Sequence, residues 1–422
     1  MARQMKDSGV EWIGQIPEEW KLSKIGAVYE ERNEKVSDTD FQPLSVTKQG
    51  VIPQLESAAK SNDSDNRKLI RKNDFVINSR SDRRGSCGIS EYDGSCSLIN
   101  TVLKPRRNMC NAYYGFVFRS ECFADEFYRW GNGIVDDLWS TKWSNMKRIY
   151  IPAPPLKEQE KIASYLDRKC AQIDAIIAKQ QQIIEKLKEY KLSVITEAVT
   201  KGLDPNVPMK DSGVEWIEEI PEKWQKAKLK NTCQFINGDR SSNYPSPNDY
   251  VDKGIPFLGA DSLCGRYVDI AQSKKITNEK YRSMGGAKIQ KGDILYTLRG
   301  STIGKNAMAM FDDGTVASSL MVIRPISLVP EFLLYWLNSE EEFQQRQSYI
   351  NGSTAPNLSA DNVGTFILFL PSTVEQLRIA NFLDKKCNEI ELAIQKKQRM
   401  IEKLSDYKKS LIYEVVTGKK EV

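Results

Sequence analysis

The stretch Met5-Lys6-Asp7-Ser8-Gly9-Val10-Glu11-Trp12-Ile13 returns as Met209-Lys210-Asp211-Ser212-Gly213-Val214-Glu215-Trp216-Ile217. Ile16-Pro17-Glu18 is answered by Ile220-Pro221-Glu222. A second block, Glu158-Gln159 through Thr200, recurs as Glu375-Gln376 through Thr417. The first pair is 209 − 5 = 204 residues apart and the second 375 − 158 = 217. The variable stretch inside the second copy is therefore 217 − 204 = 13 residues longer. A duplicated frame around two diverged inserts predicts two similar modules that read two different things.

The closing blocks predict long helices. Leu166, Cys170, Ile173, Ile177, Gln180, Ile184, Leu187, Lys191, Val194 and Ala198 follow alternating steps of four and three. Leu383, Cys387, Ile390, Ile394, Lys397, Ile401, Leu404, Lys408, Leu411 and Val415 repeat the pattern. That is the heptad seam of a coiled coil. Ile176, Ile183, Tyr190 and Ile195 widen the stripe, so each helix is expected to touch something besides its mate. The polar positions Gln180, Lys191, Lys397 and Lys408 either fix register or snorkel to water at exposed ends. Pro154-Pro155 and Pro371 open the two helices, while Gly202 and Gly418 close them. Roughly 45 residues at 1.5 Å each give a rod of about 65 Å. Two such rods are expected to pack antiparallel about a pseudo-two-fold axis, holding the inserts a fixed distance apart at opposite ends.

The inserts, roughly 21–150 and 225–368, carry short apolar runs such as Phe75-Val76-Ile77, Ile294-Leu295-Tyr296 and Leu320-Met321-Val322-Ile323. Gly-, Asn- and Ser-rich turns separate them, which predicts strands. Helical stretches are expected near 122–130 and 330–345, making each insert an α+β globule. Lys72-Asn73-Asp74 through Arg80 parallels Lys291-Gly292-Asp293 through Arg299 at an offset of 299 − 80 = 219, and Leu103-Lys104-Pro105 parallels Ile323-Arg324-Pro325 at 323 − 103 = 220. The expected segments are 1–150 and 205–368 for opening plus insert, and 151–204 and 369–422 for the long helices.

With 422 residues, 40% hydrophobic and 28% charged, the chain suits a globular protein of two to four domains. No apolar run approaches the roughly 18 residues of a membrane span, and the start lacks a signal-peptide core, so a cytoplasmic location is expected. Eight scattered cysteines without a C-x-x-C pair argue for reduced thiols rather than disulfides or zinc. A histidine count of 0 removes the commonest general base and metal ligand, and excludes Ser–His and Cys–His nucleophiles. The net charge of +5 is compatible with a polyanionic partner.

After each shared Asp–strand–Arg element comes a polar, basic, Gly-containing loop. The first runs Arg80-Ser81-Asp82-Arg83-Arg84-Gly85-Ser86 and the second Arg299-Gly300-Ser301-Thr302-Ile303-Gly304-Lys305-Asn306. Arginine can clamp phosphate or grip guanine with two parallel bonds, while hydroxyls and backbone N–H groups supply further phosphate contacts. The same loops would also serve as solvated hairpin tips, but their equivalent placement favours nucleic-acid contact. Arg80, Arg83, Arg84, Ser86, Arg299, Ser301, Thr302 and Lys305 are the candidates. Lys48-Gln49, the stretch around Lys142 between Trp139 and Trp143, the segment 239–244 with Arg240 and Tyr244, and the segment 351–357 with Asn357 are further candidates, each equally suited to an ordinary loop. Trp143 also suits a core. Gly300-x-x-x-Gly304-Lys305-Asn306 is one residue short of a phosphate-binding P-loop and lacks its Ser/Thr. No N-P-P-aromatic signature of amino-methyltransferases is present, and the carboxylates form no nuclease cluster.

At these residues the chain resembles the DNA-specificity subunits of type I restriction–modification systems. The carriers are the openings at 6–20 and 210–224 and the closings Pro155-Leu156-Lys157-Glu158-Gln159 with Leu166-Asp167, and Pro371 with Glu375-Gln376 and Leu383-Asp384. The resemblance spans nearly the whole chain and is specific in its order. It implies a non-catalytic protein in which two target recognition domains read the halves of an asymmetric, bipartite duplex DNA site. It implies that the helices, through Leu166, Ile173, Ile177, Ile184, Leu187, Leu383, Ile390, Ile394, Ile401 and Leu404, set the spacer and dock two methyltransferase subunits. Those subunits would bring S-adenosylmethionine and methylate adenine, and motor-nuclease subunits can join them. No cofactor is expected in this chain. The other reading is a coiled-coil scaffold presenting two protein-binding modules, separable by the salt dependence of DNA binding.

Overall fold

The computed structural model describes residues 3–54, 65–133, 139–214, 216–241, 244–350 and 357–422. The chain divides into two compact units, 1–181 with 398–422, and 182–397. Neither unit coincides with one copy of the sequence repeat. The boundaries expected from the repeat gave each long helix a segment of its own; instead each helix is divided between the units.

The first unit is built on a sheet of β1 (Tyr29–Glu31), β2 (Phe75–Asn78), β3 (Cys87–Ile89) and β4 (Asn100–Pro105), in the order β3-β2-β4-β1 with all pairings antiparallel. Phe75, Val76 and Leu103 are buried from the strands, as their apolar runs predict. Two short helices follow, α1 (Asn111–Arg119) and α2 (Glu121–Arg129). The Ser120 hydroxyl accepts from the Phe123 N–H and starts α2. Helix α1, rich in aromatics, lay outside the expected helix near 122–130. Its residues Tyr113 to Phe118 are buried nearly all round, so it lacks the polar face that marks a surface helix. The long helix α3 (Leu156–Lys201) comes next.

The second unit repeats the plan with β5 (Cys233–Asn237), β6 (Ile294–Thr297), β7 (Asn306–Met308) and β8 (Leu320–Pro325), in the order β7-β6-β8-β5. The single helix expected over 330–345 is two, α4 (Pro330–Trp336) and α5 (Glu340–Tyr349). The second long helix is α6 (Thr373–Val416). From β1 to β5 the offset is 233 − 29 = 204, and from β2 to β6 it is 294 − 75 = 219. The inserted length, 219 − 204 = 15 residues, thus enters between the first and second strands of the sheet. A later shortening returns the offset to 217 at the long helices.

Within each unit half of one long helix packs against half of the other. Lys408 Nζ reaches Asp174 at 2.6 Å in the first unit, and Lys191 Nζ reaches Glu391 at 2.5 Å in the second. The pairs are equivalent by the repeat, since 408 − 191 = 391 − 174 = 217. Their numbers also share one sum, 174 + 408 = 191 + 391 = 582, the mark of antiparallel partners. These seam lysines pair across the helices rather than snorkel. Leu166, Ile173, Ile184, Leu383 and Ile390 are buried, while Ile177, Leu187, Ile394, Ile401 and Leu404 are half-buried. Of the widening stripe, Ile195 joins the core of the second unit, whereas Ile176, Ile183 and Tyr190 are exposed.

The repeated Glu-Gln has a structural role. Gln159 accepts from the Cys110 N–H at 2.9 Å and donates to the Pro154 carbonyl at 2.8 Å. Gln376 does the same with Val329 at 2.9 Å and Pro371 at 3.0 Å. Each buried amide ties a long helix to the start of α1 or α4. The opening repeat is a hairpin that packs on a helix end: Trp20 lies by Gly418, and Trp224 by Gly202. All eight cysteines are free thiols.

Candidate nucleic-acid interface

The Asp of each shared Asp–strand–Arg element is a structural anchor. Asp74 takes Arg32 at 2.6 Å and the Arg71 N–H at 2.8 Å. Asp293 takes Arg324 at 2.7 Å and the Gln290 N–H at 2.8 Å. Both carboxylates are buried and fixed by charge-assisted bonds, so they hold the turn that launches the next strand.

That strand ends at the candidate arginine. Arg80 forms a lone β-bridge with Ser140, and Arg299 forms one with Asn357. The neighbouring bonds match too. Thr141 N–H donates to the Ser79 carbonyl at 2.9 Å, and Leu358 N–H donates to the Leu298 carbonyl at 2.9 Å. Two sequence stretches singled out separately, the basic loop and the segment before the closing strand, are thus one surface in each unit. Ser140 and Asn357 themselves sit opposite the arginines.

In the first unit Asn78 accepts from the Arg80 N–H at 3.0 Å and turns the chain off the sheet. Arg80 and Lys142 are exposed and carry no ion pair among the described residues. They line an open cleft of about 600 Å³ with Lys147, Trp143, Leu98 and Lys68. Lys68 is held by the Asn100 carbonyl at 2.9 Å and pairs with Glu31, which also lines the cleft, leaving Arg80, Lys142 and Lys147 as its positive charge without an ion pair among the described residues. Trp143 is half-buried, so it serves both the core and the cleft wall. Lys147 was missed in the sequence because it lies across a helical turn from Lys142 with no repeat to mark it.

Other candidates are corrected by their surroundings. Ser86 is buried and cannot reach a phosphate; its backbone closes the loop by taking the Asn78 N–H at 2.9 Å. Arg84 is paired with Asp125, and Arg83 lies 3.4 Å from Asp82, so both charges are partly spent. Lys48 and Gln49 are exposed on a hairpin turn that lies against β3, where a Cβ on Gly88 would come within 2.9 Å of Gly50.

In the second unit Arg299, Ser301 and Thr302 are exposed and Arg299 is without an ion pair among the described residues. Lys305 departs from the group, since its ammonium donates to the Ala260 carbonyl at 3.1 Å and faces a different cleft, with Arg266. Gly304 has φ +86°, and a Cβ there would strike the Arg346 guanidinium, so the turn requires glycine. Antiparallel pairing of β5 with β8, and of β6 with β8, brings the ends of β5 and β6 to one edge. Arg240 follows β5 and Arg299 follows β6, so both leave the sheet at that edge. Tyr244 is exposed but packs edge-on against Phe257 at 5.5 Å. Ser242, Asn243 and positions 351–356 lie outside the described residues.

The type I restriction modification DNA specificity domain matches this sequence twice, over residues 17–189 and 221–403. The chain belongs to that family. Each specificity-domain match holds one central sheet and its basic surface. Among relatives, the type I restriction enzyme EcoBI specificity subunit of Escherichia coli is 32% identical over 200 residues, covering 45% of this chain and 41% of that protein. The MjaVIII specificity subunit of Methanocaldococcus jannaschii is 25% identical over 280 residues, covering 65% of this chain and 62% of that protein. The alignments therefore span less than two thirds of either relative. A solved chain from a study of complex assembly in a type I restriction–modification system superposes with a TM-score of 0.72 at 16% identity, covering 95% of this chain and 98% of that one, a likeness of fold.

Proposed function

We propose that this chain is the DNA-reading subunit of a type I restriction–modification complex, with each unit reading one half of a bipartite duplex site. The observation that carries the reading is the repeated arginine. Arg80 and Arg299 occupy one backbone position in two sheets, on matching β-bridges, exposed and without counter-ions among the described residues. Around them the side chains differ, as two different sequences to be read would require. Arg80 with Lys142 and Lys147 serves the first half-site, and Arg299 with Arg240, Ser301 and Thr302 the second.

The same reading assigns the chemistry to partners. Two methyltransferase subunits carrying S-adenosylmethionine would dock on the long helices, where each unit leaves apolar side chains exposed: Ile176, Met400 and Tyr407 in the first, Ile183, Tyr190 and Leu392 in the second. A motor-nuclease subunit would join that assembly.

The test is the methylation pattern in cells carrying the complex. Arg80→Ala is expected to weaken or relax one half-site and Arg299→Ala the other, each by about 1–3 kcal/mol if the arginine grips a base. Unchanged methylation at the cognate site in either variant would remove that arginine from the interface.

A further inference from the structure

The two units differ sharply at one equivalent place, where the opening hairpin meets a short helix and the last turns of a long helix. In the first unit the chain's own ammonium groups stand at that place. Lys409 pairs with Glu121 at 2.7 Å. Lys419 hydrogen-bonds the Tyr413 hydroxyl, with its Nζ 4.1 Å from the ring centre and 3.4 Å from where a Cβ on Gly14 would stand. The Tyr413 hydroxyl lies 3.3 Å from the Trp12 carbonyl. Trp12 itself is 7% exposed and packs edge-on against Phe123.

In the second unit both ammoniums are absent and carboxylates take their surroundings. Lys409 is replaced by Leu192, since 409 − 192 = 217, and Gly202 and Leu203 follow the helix where Lys419 follows its counterpart. Gly14 and Gln15 become Glu218 and Glu219 by the offset of 204, and Cys122 becomes Glu341 by 341 − 122 = 219. The result is an open cleft of about 740 Å³ with Glu189, Glu197, Glu218, Glu219, Glu340 and Glu341 on its walls and Lys201 as the cation among the described residues. Trp216, the counterpart of Trp12, is 49% exposed beside it. Glu341 is 7% exposed, and its Oε2 has no hydrogen-bond partner among the described residues. Burial pushes this carboxyl up to about 7, opposed by a hydrogen bond with Trp216.

We propose that this cleft binds an alkylammonium group, which takes the place that Lys409 and Lys419 hold in the first unit. A buried carboxylate oxygen without a partner is costly, and an ammonium beside it offsets that cost. The exposed indole adds a ring face of the kind Lys419 finds on Tyr413. The group is either the end of a free polyamine or the side chain of a lysine presented by a partner protein.

Isothermal titration of the full chain at low salt with cadaverine, spermidine and Nα-acetyl-lysine amide tests this directly. At least one probe should bind saturably. Affinity should fall about tenfold in Trp216→Ala and in the double variant Glu218→Gln/Glu341→Gln. The rim variant Glu218→Gln/Glu219→Gln, which leaves the buried Glu341 in place, should lose affinity as well and guards against misfolding. The control Glu121→Gln, in the first unit, should keep it. Spermidine binding well above the lysine amide assigns a free polyamine; comparable affinities assign a lysine side chain. Absence of saturable binding by all three probes, or affinity unchanged in the rim variant, overturns the proposal.

Discussion

Gln159 and Gln376 show how a single side chain can account for a repeated motif. Each amide is buried and satisfied at both ends by backbone, joining two elements far apart in sequence. Replacing Gln376 with Ala leaves the Val329 N–H and the Pro371 carbonyl without partners. The expected loss of stability is about 1–3 kcal/mol, measured by urea unfolding. A neutral result would mean that water replaces the amide. Glu341 is the opposite case, a buried carboxyl left short of partners. Its ordinary value is 4.5 and burial raises it to about 7, so the folded form holds the proton more tightly than the unfolded chain. The associated stability is present below about pH 4.5 and is lost as pH rises through 7. Glu341→Gln should therefore match the parent protein near pH 4.5 and exceed it near pH 8. Parallel melting curves across that range would refute the assignment.

The long helices were legible as elements because a heptad pattern is a local property of sequence. Their seam lysines were ambiguous, since a lysine's length allows it to reach water or a partner. The structure resolves this for two of the three, in favour of Lys408–Asp174 and Lys191–Glu391. Lys408→Glu should destabilise the first unit, and Asp174→Lys in the same chain should restore part of the loss. The coupling expected of such a partly exposed pair is about 0.2–1 kcal/mol, shrinking with salt. A double-mutant cycle giving no coupling would return these lysines to the snorkelling role. Burial also ranks the apolar seam. Ile390 is buried and Ile394 half-buried, so Ile390→Asp should cost more stability than Ile394→Asp, a charge in the dry seam costing several kcal/mol. Helix α1 shows the limit of periodicity: an all-round buried helix has no polar face to reveal it.

At the scale of the whole molecule, the repeat makes the two units versions of one design with different basic surfaces, which are proposed above to read separate half-sites. Arg80, Lys142 and Lys147 in one unit, and Arg299 and Arg240 in the other, carry no ion pair among the described residues and should make duplex binding steeply salt-dependent. Removing a single phosphate-binding cation should lower the slope by about 1. Comparing the parent chain with Lys142→Ala and Lys147→Ala in the assembled complex checks this. A flat salt response would favour the scaffold reading of the chain.

The sequence by itself determined the duplication, the two long helices, the basic loops and the absence of histidine chemistry, because periodicity, composition and repetition are read along the chain. It also placed Arg80 and Arg299 at equivalent positions. Only the tertiary structure decided which cations remain free. Asp125 pairs Arg84, the Ala260 carbonyl holds Lys305, and a buried turn removes Ser86. The partners of Arg84 and Lys305 lie 125 − 84 = 41 and 305 − 260 = 45 residues away along the chain. The division of each long helix between two units was likewise invisible in the repeat, because strand pairing and core packing join segments that the chain keeps far apart.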